Sequence, residues 1–514
     1  MTPEEHSLAN GILYTDQYQL TMAQFYFRMG LHEKEVQFEY FFRKYPDYGS
    51  HQAGYCIFAG LEWLLEWMQK SRFTSVELEA LKTRTTSRGK PFYDPDFLNW
   101  LESNGSFQEI SIRAVPEGRV IHPQAPVAVV QGPLLMAQLL ESSLLNHLNY
   151  QTLVATRASR IRQAGQGRML LEFGMRRGQD RGSNAGARAA LIGGADYTSN
   201  AGISHVLGYP PKGTHAHSMI QACMALGHTE LEAFRAFAEV YPDDCILLVD
   251  TVNTLESGMP SAIKVFEELR RKGHEPLGVR IDSGDLAHLS LMAHIMLEKS
   301  GFPDALLVLS NQLDEMVITQ IINQIHEEAP LYSVDAGKVV RRLCFGVGTR
   351  LLTSSGQPAL DGVYKLTAIK NQNSWHPAIK ISETPSKTIN PGFKKLWRLY
   401  DQRGKADADL ICLEDEAPDQ EEVVYLHHPV QAHSYRLKKR EKISRMELLL
   451  KDVYSRGSVL ESYPSIEEIR RKRDQDLAVL DPGVKRLINP HIYHVSLSKR
   501  LWDLKQEMVR EAKK

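Results

Sequence analysis

Cys245-Ile246-Leu247-Leu248-Val249-Asp250 is an unbroken apolar run closed by a carboxylate, and Leu277-Gly278-Val279-Arg280-Ile281-Asp282 repeats that form. Between them Ala262, Val265, Phe266 and Leu269 recur at helical spacing and stop at Gly273. The rhythm continues downstream. Leu289, Met292, Ala293 and Met296 share a helical face, and Ala305–Leu309 is a strand run that ends at Ser310-Asn311. Val317, Ile321, Ile322 and Ile325 mark another helix, and Leu343-Cys344-Phe345 passes into a Gly346-Val347-Gly348-Thr349 turn. Strands and helices alternating through short connections require parallel strands with crossover helices. Runs that are apolar on both faces fit an α/β sheet or barrel covered by helices. Polar residues collect at the strand C-termini, the edge where such proteins place their active sites.

Outside residues 150 to 350 the pattern differs. Asp16 is placed to cap a helix with an apolar stripe of Tyr18, Met22, Phe25 and Met29, and Val36–Phe41 alternates like a strand. Short strands follow at Arg113–Ile121 and Pro126–Gln131, so the first 135 residues read as an α+β region. Beyond about 365 the chain is less regular. An acidic stretch at 414–422 reads as a solvated connection, and the basic Arg436–Arg440 and Arg470–Arg473 segments read as exposed helix faces.

Bulk properties narrow the function. With 61 Lys and Arg against 62 Asp and Glu, the net charge is −1, which disfavours a nucleic-acid-binding protein. A locally basic pocket for a small anion remains compatible with that balance. Five scattered cysteines without a Cys-x-x-Cys pair read as reduced residues of a cytoplasmic protein. The polar start, Met-Thr-Pro-Glu-Glu-His, is not a secretory signal. The apolar stretch at 125–145 is broken by Gln131, Gly132, Pro133, Gln138 and Glu141, so no membrane span is expected.

The chemistry centres on Gly213-Thr214-His215-Ala216-His217-Ser218. Alternate histidines on a strand would face one side and bind a metal, as in a metal-dependent amidohydrolase. Alternatively, one histidine is a nucleophile or phosphate acceptor, with Gly213-Thr214 allowing close approach of an anion. The plainest alternative is a helix start capped by Thr214 or Ser218. The later strand ends supply Asp250, Arg280, Asp282 and Asn311 rather than further His or Cys ligands. Carboxylates suit Mg²⁺ with polyphosphates, and arginine suits phosphate or carboxylate. Asp282 also reads as a cap for the helix after it. Glu172-Phe173-Gly174-Met175-Arg176-Arg177 sets an aromatic ring beside two cations.

Together with Tyr14–Met22, Leu248–Thr251, Gly278–Leu286, Ser310-Asn311, Phe345–Thr349 and Pro358–Leu366, these segments resemble the nicotinate phosphoribosyltransferases of the type II phosphoribosyltransferase class. The resemblance implies an irregular α/β barrel at 141–365, an N-terminal α+β domain at 1–140 and a C-terminal region at 366–514 packed on both. It implies transfer of phosphoribosyl from 5-phosphoribosyl 1-diphosphate to nicotinate, feeding NAD synthesis, coupled to ATP through a phosphohistidine, with Mg²⁺ and a homodimer. By the same resemblance His217 is the phosphorylated residue and Asp250 its partner. Thr214 and Arg280 contact nicotinate, and Phe173 and Tyr18 sandwich its ring, Tyr18 coming from the other subunit. Arg176, Gly346, Gly348 and Thr349 lie near the donor phosphates, Asn311 contacts substrate, and Asp282 serves the ribose or Mg²⁺. Nicotinamide as acceptor is the alternative within this class.

Overall fold

A computed structural model describes residues 2–384, 387–431 and 434–512. The chain divides into two compact units, one of Val154–Pro358 and one that joins Met1–Leu153 to Ala359–Lys514. The divisions thus fall at 153 and 358 where the sequence suggested 140 and 365, and the two ends of the chain share one unit.

The Val154–Pro358 unit is built on a six-stranded sheet that curls as an irregular α/β barrel. Its order is Tyr197–Thr198, Met169–Glu172, Leu343–Val347, Leu306–Leu309, Gly278–Ile281, Ile246–Leu248. Every neighbouring pair is parallel. Because Leu309 pairs with both Ile281 and Phe345, and Val347 with Glu172, the strand C-termini share one edge.

The crossover helices follow the sequence pattern unevenly. Met259–Arg271 buries Ala262, Val265, Phe266 and Leu269, the stripe the spacing predicts. Glu315–Glu328 buries Ile321, Ile322 and Ile325 but replaces the expected Val317 by Ile318. In Leu286–Lys299 the buried face is Leu286, Ala287, Ser290, Leu291, Ala293, His294 and Leu297, so Leu289, Met292 and Met296 are rotated to its flank. That helix is apolar almost all round, and apolar periodicity cannot choose between faces that are both apolar. The last strand runs through Val347, so Gly346 is a strand residue rather than part of a turn.

In the other unit, Glu35–Phe42 lies in a seven-stranded sheet between Ala128–Pro133 and Gly362–Asn371. Tyr40 opposes Tyr364, which fastens the C-terminal segment to the N-terminal one. The strand is buried on both faces from Val36 onward, so its polar residues are interior: Glu39 pairs with the equally buried Lys394 at 2.9 Å. A second, six-stranded sheet comes wholly from residues after 393. The basic Tyr435–Lys439 segment is an exposed strand rather than a helix face. Arg473 does lie on a helix but is 2% exposed, paired to Asp474, where the sequence predicted solvent.

The helix Gln17–Arg28 inverts another expectation. Asp16 precedes it without capping it, and instead accepts a hydrogen bond from Ser142 Oγ. Gln19, Leu20 and Ala23 form the buried face, while Tyr18, Phe25 and Met29 are 50–59% exposed. No helix among the described residues is long and apolar enough to cross a membrane.

After the Ile246–Leu248 strand the chain makes a wide turn, with the Gly258 N–H donating to the Asn253 carbonyl at 2.9 Å. A β-carbon on Gly258 would stand 1.9 Å from the Val249 carbonyl oxygen. Gly258→Ala is expected to destabilise the fold by about 1–3 kcal/mol, as overpacking does; urea unfolding with an unchanged midpoint would contradict this.

Candidate active site

The shared strand edge opens into a cavity of about 520 Å³ in the Val154–Pro358 unit. Phe173, Arg176, Thr214, Arg280 and Asp282 line it. So do Asn311, Gly346, Gly348 and Thr349. Arg176, Arg177, Arg280 and Arg350 stand against the single carboxylate of Asp282, so the cavity is cationic although the chain is nearly neutral.

Arg280 is the most tightly held of these. Its Nε donates to Ser310 Oγ at 2.9 Å, Nη1 to Thr214 Oγ1 at 3.4 Å and Nη2 to Asp282 Oδ1 at 3.3 Å. Ser310 Oγ also donates to Asp282 Oδ1. The guanidinium carbon lies 5.4 Å from the centre of the Phe173 ring, so cation and aromatic face share one recess. The capping of the following helix falls to Asp285, which accepts from the Ala287 and His288 amides, so Asp282 is not spent as the cap.

Phe173 is seated by the turn that follows it and by the adjacent strand. Glu172, fully buried, accepts from the Gly174 amide and from Thr198 Oγ1, which fixes the turn beneath the ring. Burial pushes the Glu172 carboxyl upward. At Gly346 a β-carbon would meet the Phe173 ring at 2.5 Å, so this glycine makes room for an aromatic side chain. Asn311 and Gln312 hold φ of 102° and 52° in succession, a strained strand exit of the kind found at binding sites.

The two histidines have different environments. Residues 209–216 carry no regular structure, and His217 opens the helix His217–Ala225, so the same-side strand pair is not formed. Neither Thr214 nor Ser218 caps that helix. His215 is buried, and its Nε2 accepts from the Leu248 amide at 3.1 Å. Leu248 is on the edge strand of the sheet, so His215 satisfies an outward amide that would otherwise be buried alone. His217 is partly exposed, and its Nε2 lies 3.0 Å from Oδ1 of Asp250, whose side chain is 1% exposed. Asp250 Oδ2 accepts from the Asp282 amide at 3.0 Å and from Ser283 Oγ, which ties the histidine to the cavity wall. No group of three or more His, Cys, Asp or Glu that could hold a metal lies among the described residues. The amidohydrolase arrangement is therefore not assembled.

Tyr18 lines a different cavity, of about 410 Å³, in the other unit, alongside Met22, Tyr26 and Tyr364. Sequence reasoning passed over Ser310, Ser199, Gln312 and Arg350 as site residues. Ser310 had a usable signal, since it ends a strand beside Asn311; Arg350 had only its place after a glycine-rich strand end.

Burial, opposed by a hydrogen bond to Ala216, pushes the His215 imidazole down to about 4 from its ordinary 6.5. The folded state holds it neutral, so the stability it contributes is complete above pH 6.5 and is lost as pH falls toward 4. In urea titrations across that interval His215→Gln should flatten the pH dependence of unfolding; an unaltered slope would remove His215 as its source.

Family models match the chain in order: the nicotinate phosphoribosyltransferase N-terminal domain over residues 13–149, the family core over 169–405, and the C-terminal domain over 393–505. A nicotinate phosphoribosyltransferase of Bacillus subtilis (strain 168) is 37% identical over 509 residues, 98% of this chain and 96% of the relative. The Homo sapiens protein of the same name is 32% identical over 546 residues, 97% and 96% of the two chains. The crystal structure of human nicotinic acid phosphoribosyltransferase superposes with a TM-score of 0.79 at 28% identity, covering 96% of this chain and 99% of that one. A nicotinate-nucleotide pyrophosphorylase from Pyrococcus furiosus shares the fold, with a TM-score of 0.63 at 19% identity over 93% and 97% of the two chains.

Proposed function

This chain belongs to the nicotinate phosphoribosyltransferase family, and we propose that the cationic cavity is where it transfers a phosphoribosyl group from 5-phosphoribosyl 1-diphosphate to nicotinate for NAD biosynthesis. The observation that carries this assignment is the Arg280–Phe173 recess. A flat pyridine ring stacks on Phe173 while its carboxylate meets a guanidinium already oriented by Ser310 and Asp282. Thr214, hydrogen-bonded to Arg280, borders the same recess.

In the transfer, the anomeric C–O bond to diphosphate breaks and the pyridine nitrogen forms the new C–N bond. Positive charge grows on the ribose and negative charge on the leaving diphosphate. Arg176 and the Gly346–Thr349 strand end serve the donor phosphates, Asn311 contacts substrate, and the Asp282 carboxylate favours the cationic sugar. Mg²⁺ commonly binds through substrate phosphates and one or two carboxylates, and a cavity lined by one carboxylate fits that habit. Asp282, with Oδ1 already engaged, is the residue that would share it. When bound, Mg²⁺ would neutralise charge on the departing diphosphate.

His217 is the acceptor for the ATP γ-phosphoryl group. With Nε2–H given to Asp250, the lone pair available to attack is on Nδ1. An N–P bond forms there as the terminal P–O bond of ATP breaks and ADP leaves. The new group adds roughly −2 charge at the cavity wall, which couples ATP to donor and acceptor affinity. The exposed Tyr18, Phe25 and Met29 support a homodimer in which Tyr18 reaches the partner's acceptor. The five scattered cysteines, none in a Cys-x-x-Cys pair, support a cytoplasmic setting.

Nicotinate mononucleotide formation with and without ATP tests the scheme. His217→Ala should abolish ATP hydrolysis and ATP stimulation while leaving basal transfer; full stimulation in that variant would refute the role. Arg280→Gln should raise KM for nicotinate roughly 10- to 100-fold, the worth of a charge-assisted pair, with little change toward nicotinamide. Preference of the unaltered enzyme for the amide would overturn the acceptor assignment.

A further inference from the structure

Arg350 lines the cavity directly after the Gly348–Thr349 strand end. Its Nη1 lies 3.1 Å from Oδ2 of Asp314, a side chain only 7% exposed. The other oxygen of Asp314 caps the helix Glu315–Glu328, accepting from the Met316 and Val317 amides at 2.9 Å each. Beneath this contact the charges continue inward. Arg157 Nη2 is 3.7 Å from the same Oδ2, Arg157 Nε is 2.9 Å from Glu315, and Arg160 Nε is 3.2 Å from Glu315. The row of guanidiniums and carboxylates thus runs outward to Arg350, which is 39% exposed at the cavity.

The Arg350 Nε atom is buried and has no hydrogen-bond partner. A donor in that condition is costly unless something arrives to accept from it. Arg280, by contrast, has Nε and both terminal nitrogens engaged. The Asp314 contact fixes the Arg350 fork beside the Gly348–Thr349 strand end, so little rotamer entropy is left to lose on binding an anion.

We propose that Arg350 is a phosphate-binding residue of the ribosyl donor, and that Asp314 is the positioning residue that aims it. This rests on the transferase reading of the cavity. The donor carries phosphate in two places: the 5′-phosphate, which stays in nicotinate mononucleotide, and the diphosphate, which leaves. The two are separable by calorimetric titration of the full chain with nicotinate mononucleotide and with inorganic diphosphate at fixed ionic strength.

Arg350→Ala should weaken one of these ligands roughly 10- to 100-fold, and Arg350→Lys should restore part of the loss. The ligand affected identifies the phosphate that Arg350 holds. Asp314→Asn keeps a competent helix cap but releases the arginine, so KM for the donor should rise while kcat stays within about twofold. If Arg350→Ala binds both ligands within twofold of the unaltered chain and only its unfolding midpoint falls, the arginine is a structural partner of Asp314 and the proposal fails. An unchanged donor KM in Asp314→Asn removes the positioning role. Failure of the unaltered chain to bind either ligand would instead overturn the reading of the cavity.

Discussion

The Asp250 carboxylate sits at the end of an edge strand with both oxygens committed: one to His217, the other to the Asp282 amide and Ser283. It is almost wholly buried, and a buried anion persists only when its partners are in place. Those partners are the first turn of one helix and the exit of the neighbouring strand. Satisfying the carboxylate therefore sets the imidazole and the cavity wall relative to each other. The Arg280–Ser310–Asp282 group extends the same edge inward, and Phe173 closes it.

Two glycines allow this edge to form. Gly258 lets the chain after Val249 fold back against its own strand, and Gly346 leaves space for the Phe173 ring. What looks like a glycine-rich loop in the sequence is, at Gly346, a close approach between a strand and an aromatic side chain. The site is thus set by packing as much as by charge.

The parallel core was legible because its strands are apolar on both faces and end on polar residues, so Asp250, Arg280, Asp282 and Asn311 announced the edge they share. The two histidines were not separable from residue type. Only the structure shows His215 accepting the Leu248 amide while His217 meets a carboxylate. The cap of Gln17–Arg28 was misjudged because Asp16 is engaged by the sequence-distant Ser142, and its apolar stripe reads the same whether it packs inside the unit or remains exposed. Arg473 and Lys394 were hidden for a related reason: burial of a cation depends on a partner distant in sequence or on contacts that periodicity does not encode.

The proposed phosphorylation of His217 turns on its contact with Asp250, which leaves the Nδ1 lone pair as the one free to attack. Phosphorus and nitrogen NMR of ¹⁵N-histidine-labelled protein treated with ATP would locate the phosphoryl group directly. Attachment at Nδ1 of His217 is the expected result. Attachment at Nε2, or at any other residue, would contradict it.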